Sequence, residues 1–114
     1  MRRENLRSYI VKLLLTAGLL PRDNAFAVIA RLIEISVKHP QKPLMQIITD
    51  FAAAHDTEVR RITHMIERNF DIYDPNTVER VGAITGTKPI AAKDALYDLA
   101  VYARTSYFCG GRNE

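Results

Sequence analysis

The stretch "DFAAAHDTEVRRITHMIERNF", Asp50 to Phe70, decides how this chain is read. It has the pattern of one helix ending, a tight turn, and a second helix beginning. On the second helix, Val59, Ile62, Ile66, Phe70 and Tyr73 recur at helical spacing and form a narrow apolar stripe. At about 100° per residue, Thr57, Arg61, His64 and Arg68 fall on the opposite side, with Arg60 on the flank. Asp56 or Thr57 is expected to cap this helix, which then runs to about Tyr73. The small residues Ala52 to Ala54 let the preceding helix come close. The joint "AHDT" has the length of a helix-turn-helix turn, but not the glycine often found there. One apolar stripe for the domain and one polar stripe for DNA is what a recognition helix requires.

The residue types suit that role. Arginine pairs bidentately with guanine O6 and N7, which makes Arg60 and Arg61 candidate base readers. Thr57, placed near the positive end of the helix dipole, is a candidate phosphate contact. His64 and Arg68 are candidates for backbone or neighbouring bases. A plainer reading stands beside this one. Asp56, Glu58 and Glu67 balance Arg60, Arg61 and Arg68, and a solvated helix face with Glu67 bridging Arg60 or Arg68 has the same pattern.

Outward from this stretch, helical periodicity dominates, and no hairpin signal appears. A first helix is expected over Asn5 to Ala17, with Leu6, Tyr9, Ile10, Leu13 and Leu14 on one side and Gly18 as its stop. A second starts at Asp23 or Asn24 and ends at Lys38, before His39-Pro40. Phe26, Ile29, Ile33 and Val37 form its stripe, and Ala25, Val28 and Leu32 widen it, as in a central, most buried helix. A third follows Pro43, which suits a first helical turn, with Leu44, Ile47, Ile48 and Phe51 inward. A fifth begins behind Asp74-Pro75 and ends near Gly86. The last spans "KPIAAKDALYDLAVYARTSYF", with Ala95, Leu96, Leu99 and Ala103 inward. The expected fold is all-α: a compact six-helix domain over residues 1–108, with a flexible tail at 109–114.

The bulk properties agree with a single domain. The chain has 114 residues, 47% hydrophobic and 25% charged, enough for one core. Sixteen basic and 13 acidic residues leave a net charge of +3, which permits a polyanionic partner without requiring one. Part of that excess is local, since Arg2, Arg3, Arg7 and Lys12 outweigh Glu4. The basic start has an apolar run broken by Lys12 and no clean cleavage site, so it reads as a helix and not as a signal peptide. A single cysteine, Cys109, and the lack of long apolar runs point to a cytoplasmic protein without a membrane span.

Other chemistry is not favoured. "GAITGTK", Gly82 to Lys88, has the wrong spacing for a phosphate loop, and Pro89 follows its lysine. His39, His55, His64 and Cys109 lack metal-ligand spacing. Met45 and Met65 read as packing residues. No catalytic set, metal or cofactor is expected, and an enzyme is the most distant of the three readings.

Several of these pieces occur together in a known architecture. Asn5-Leu6 stands before the first helix, and Gly18 closes that helix. Phe26, Ile29 and Ile33 lie in the second helix. Phe51 precedes the run His64 to Glu67, and Lys88-Pro89 leads into "DALYDLAVYA". In order and spacing, over about residues 5 to 105, the chain resembles the C-terminal DNA-binding domains of the stage zero sporulation protein A family of response regulators. That resemblance implies six helices, with the third and fourth as a helix-turn-helix and the fourth in the major groove. It also implies side-by-side dimers through the last helix and a meeting with RNA polymerase sigma factor.

The residue-level match has two registers. Without a gap, Arg60 falls on one of the family's base-reading arginines, Thr57 on the other, and Val59 on a glutamate between them. Shifted by one, Val59 is the core valine, Arg61 the matching arginine, and Glu58 stands on the other. Either way one reading arginine is replaced, and the family's glycine early in the second helix is Ala25. The family also carries an N-terminal receiver domain, whereas here four residues precede the first helix. A stand-alone relative controlled by its amount or by a partner is one expectation. An interaction module that kept the fold and lost DNA reading is its rival.

Overall fold

The structure is a computed structural model that describes residues 5–21 and 24–110. Among these the chain forms six helices and no strands: α1 (Leu6–Thr16), α2 (Asn24–Lys38), α3 (Leu44–Ala54), α4 (Val59–Asn69), α5 (Pro75–Thr85) and α6 (Ala92–Gly110). The expected all-α architecture is correct, and most boundaries lie within two residues of those read from the sequence.

Local chemistry sets the ends. The Asn5 side chain caps α1 by accepting from the Ser8 amide at 2.8 Å. Asp74 caps α5 by accepting from the Asn76 amide, with Pro75 as the first helical residue. Gly18 follows α1 at φ 96°, where the Gly18 and Leu19 amides donate to Leu15 and Leu14. That is a left-handed helix stop, and it turns Leu19 into the core. The Arg80 side chain lies across this turn, so close that a Cβ on Gly18 would meet it at 2.7 Å.

The turn between α3 and α4 uses the same device with a different residue. Asp56 is the one non-glycine residue at positive φ, 52°, among those described. Its amide donates to Ala53, and the Thr57 amide donates to Ala52 at 2.9 Å. The carbonyls of Ala52 and Ala53 near the end of α3 are satisfied without a glycine, because aspartate tolerates the left-handed region better than most residues.

Helix α2 packs against α1, α3, α4 and α6. Its Phe26, Ile29, Leu32, Ile33 and Val37 are buried, which meets the expectation of a central helix. Helix α6 closes the bundle through Ala95, Leu96, Leu99 and Ala103, all fully buried. At its far end Ser106 hydrogen-bonds the Tyr9 hydroxyl of α1, and Tyr107 packs on the Tyr9 ring. The backbone of α6 continues to Gly110, two residues into the stretch read as a tail. The rest of that stretch, 111–114, lies outside the described residues.

Among the described residues, one charge is buried. Glu34 is 5% exposed and faces Arg31, Lys38 and Arg7 at 3.0, 3.2 and 3.4 Å. Burial pushes its carboxyl up, but the hydrogen bonds from Lys38 and Arg31, with the charges of Lys38 and Arg7, outweigh this. The net effect holds Glu34 below the ordinary carboxylate range. The pair with Arg7 ties the start of α1 to α2.

Two outcomes are expected. Asp56→Gly removes the cost of a side chain at positive φ and should raise unfolding free energy by about 0.5–1 kcal/mol in urea titrations. Glu34→Gln should lower it by about 1–2 kcal/mol at pH 7, discounted because its three partners are half in water. Since the folded carboxyl titrates below the unfolded one, that deficit should be full above about pH 4.3. It should fade as pH falls through the depressed value.

Candidate nucleic-acid interface

Helix α4 is the most two-sided element of the chain. Ile62, Ile66 and Phe70 are fully buried, and Val59 is half-buried at the edge of the core. Arg60, Arg61, His64, Glu67 and Arg68 are exposed. The sequence reading placed these residues on the correct sides.

It overestimated the helix. α4 begins at Val59 and ends at Asn69, not at Tyr73. Phe70 already has non-helical backbone, with φ −115° and ψ 71°, and its buried ring anchors the end of the helix. Tyr73 keeps the helical spacing in sequence but lies in the following turn, where the Asp71 side chain accepts from its amide. It is 90% exposed and is not a core residue. The cap also differs. Neither Asp56 nor Thr57 holds that position; Glu58 does, and its side chain makes no capping bond. Asp56 is consumed by the left-handed turn described above.

The five candidate residues therefore divide. Arg60, Arg61, His64 and Arg68 share the outer surface of α4. Thr57 stands before the cap, half-buried, with its amide already given to Ala52. Among the described residues, the amides of Glu58, Val59 and Arg60 are the ones at this helix start without a backbone acceptor. A phosphate approaching there would meet those three amides rather than that of Thr57.

The charges on this surface are balanced in number, with Asp56, Glu58 and Glu67 exposed beside the three arginines, but they are not paired. Arg60, Arg61 and Arg68 make no ion pair with any described carboxylate, so the bridges from Glu67 that the plainer reading offered do not form. The neighbouring surface of α3 is different. There Lys42 is paired with Asp50 at 3.1 Å, and Gln46 donates to the same carboxylate at 2.8 Å. Those hydrogen bonds hold Asp50 below its ordinary range.

The small-residue contact between α3 and α4 is narrower than expected: Ala52 is buried, while Ala53 and Ala54 face water. His55 ends α3 with its ring stacked on Phe51 at 3.9 Å and its Nδ1 within 2.9 Å of the Phe51 carbonyl. Met45, read as a packing residue, is nearly half exposed, with its sulfur near the Lys93 ammonium. An open hollow of about 650 Å³ lies beside α5, lined by Ile72, Tyr73, Pro75, Val78, Glu79 and Lys88 among others, apart from the α4 arginines. Among the described residues, no group of three His, Cys, Asp or Glu side chains is placed to hold a metal ion, and no helix is long and apolar enough to cross a membrane.

Compared with known protein families, curated proteins and solved structures, the chain matches none.

Because the arginines of α4 neither pack nor pair, replacing them should leave the fold alone. Arg60→Gln, Arg61→Gln and Arg68→Gln are each expected to change unfolding free energy by less than about 0.5 kcal/mol. Ile66→Ala, on the opposite side of the same helix, should cost about 2–5 kcal/mol. Urea denaturation followed by circular dichroism measures both.

Proposed function

We propose that this chain is a DNA-binding transcriptional regulator of the sporulation-initiation type. In this reading α3 and α4 form a helix-turn-helix, and α4 enters the major groove of double-stranded DNA. One observation carries it: three exposed guanidinium groups on α4 lack an acidic partner among the described residues, opposite a stripe that fixes the helix to the core. Surface arginines that serve only solubility have no need of such a fixed presentation. Arginines that read guanine edges do need it, because bidentate pairing tolerates little rotation. The tight four-residue joint between α3 and α4 and the resemblance in residue order support the same reading. Arg60 and Arg61 take the base-reading role. His64 and Arg68 take neighbouring bases or backbone, and Thr57 contributes through its hydroxyl alone.

A second reading has its own support. Tyr97 and Phe108 on α6 are each about half exposed, at 53% and 47%. Aromatic residues left in water favour a protein partner. A fold that kept its helices and lost DNA reading would use such a surface to pair with a second copy, with a full-length regulator, or with RNA polymerase sigma factor. No catalytic role and no cofactor belong to either reading.

Binding to random duplex and to a sporulation-type operator over a salt series separates the two. DNA binding predicts affinity that falls steeply as salt rises. Arg61→Ala should then cost about 1–3 kcal/mol on the preferred site and relax specificity at one position. No binding at low ionic strength, together with concentration-dependent self-association, would instead favour the interaction module.

A further inference from the structure

The face shared by α1 and α2 carries more positive charge than its packing uses. These two helices contain a single acidic residue, Glu34, against Arg7, Lys12, Arg31 and Lys38. Three of those cations converge on it: Arg31 and Lys38 from its own helix, and Arg7 from α1. Three positive charges on one carboxylate leave an excess of two. Each guanidinium has five N–H donors and gives one to Glu34, so most of its donors face water. The side chains of all three cations stay about half exposed or more, while that of Glu34 is nearly closed off. Beside the cluster lies an open hollow of about 370 Å³, which Arg7, Arg31 and Glu34 line together with the apolar residues Val11, Phe26, Ala27 and Ala30. A second hollow, of about 340 Å³, shares Arg7 and Glu34 and adds Leu6 and Lys38. Residues of α4 line neither.

We propose that this face docks an acidic amphipathic helix of a partner protein. The groove between α1 and α2 takes the apolar side of that helix, with one large side chain seated among Val11, Phe26, Ala27 and Ala30. A carboxylate one turn away, three or four residues along the partner, meets the excess charge of Arg7, Arg31 and Lys38. The convergence of these heads on Glu34 places them within reach of a single further carboxylate and holds them ready for it. A small carboxylate fits less well, because small-molecule sites bury most of their ligand and these hollows are open. A partner helix brings its own surroundings to shut out water around the charged contact. Nucleic acid has no use for the apolar half of the site. The proposal is independent of DNA binding by α4, since the two surfaces share no residue.

Selection from a displayed library of randomised helical peptides against the full chain tests this, with the affinities of the enriched peptides then measured by fluorescence anisotropy. Enriched sequences should pair Asp or Glu with Leu, Ile or Phe three or four residues apart. Arg31→Gln and Lys38→Gln should each weaken binding by about fivefold. Ala27→Trp, which fills the hollow from an exposed position, should weaken it by about tenfold or more. Arg61→Gln should change nothing, and all four variants should melt within a few degrees of the wild type. Selection of peptides without the acidic and apolar pair, or of peptides indifferent to Arg31→Gln and Ala27→Trp, overturns the proposal. Self-association that Ala27→Trp abolishes would assign the groove to a second copy of the chain and overturn it too. So would random duplex DNA that displaces the peptide and loses affinity in Arg31→Gln and Lys38→Gln, since the cluster would then be a phosphate contact.

Discussion

The anchoring of α4 by Ile62, Ile66 and Phe70 is the constraint on which the rest of the molecule turns. All three are fully buried, so the helix cannot roll without exposing apolar surface. Exposing even one such side chain would cost on the order of 1.5–3 kcal/mol. A polar surface opposite a stripe held this firmly has a fixed direction. Arg60, Arg61, His64 and Arg68 are thereby presented together on a rigid support. The left-handed turn at Asp56 adds the second restraint, setting the entry of the chain into α4 through backbone bonds to Ala52 and Ala53. Side-chain burial fixes rotation, and backbone geometry fixes approach.

The charges of the molecule follow two different rules. Glu34 gathers Arg7, Arg31 and Lys38, and Asp50 gathers Lys42, so these cations help to hold α1, α2 and α3 in place. The α4 arginines hold nothing. Net charge hides this contrast, because +3 spread over 114 residues does not say which cations are already engaged. Only the arrangement in space shows that the arginines of α4 are unpaired among the described residues.

Much of the fold was legible because its signals are local. Gly18, Gly86, Asn5, Asp74 and Pro75 punctuate helices through short-range backbone chemistry, and each acts where the sequence places it. The wide apolar face of α2 likewise announced its central position. The failures arose where two local signals competed. Tyr73 continues the period of α4, but Phe70 leaves the helical conformation and the spacing loses its meaning beyond it. Asp56 has the chemistry of a cap and was read as one, whereas the tight joint needed it at positive φ. Glu58, a poor cap by composition, was left with that position. The pairing of Arg60 and Arg68 with Glu67 was also a fair reading of helical spacing. Spacing shows which side chains can reach each other and says nothing of which rotamers they prefer. The candidate surface was thus legible in outline, and its free charges were not.

The contact between Tyr9 and Ser106 has a consequence for how this unit could sit within a larger assembly. The first and last helices meet close to where the described chain begins and ends. Any tether attached at either end would leave from one neighbourhood of the surface. A neighbouring module would then be held over the same region whichever end carried it. The order of modules along a chain would matter less here than the length of the connecting segment.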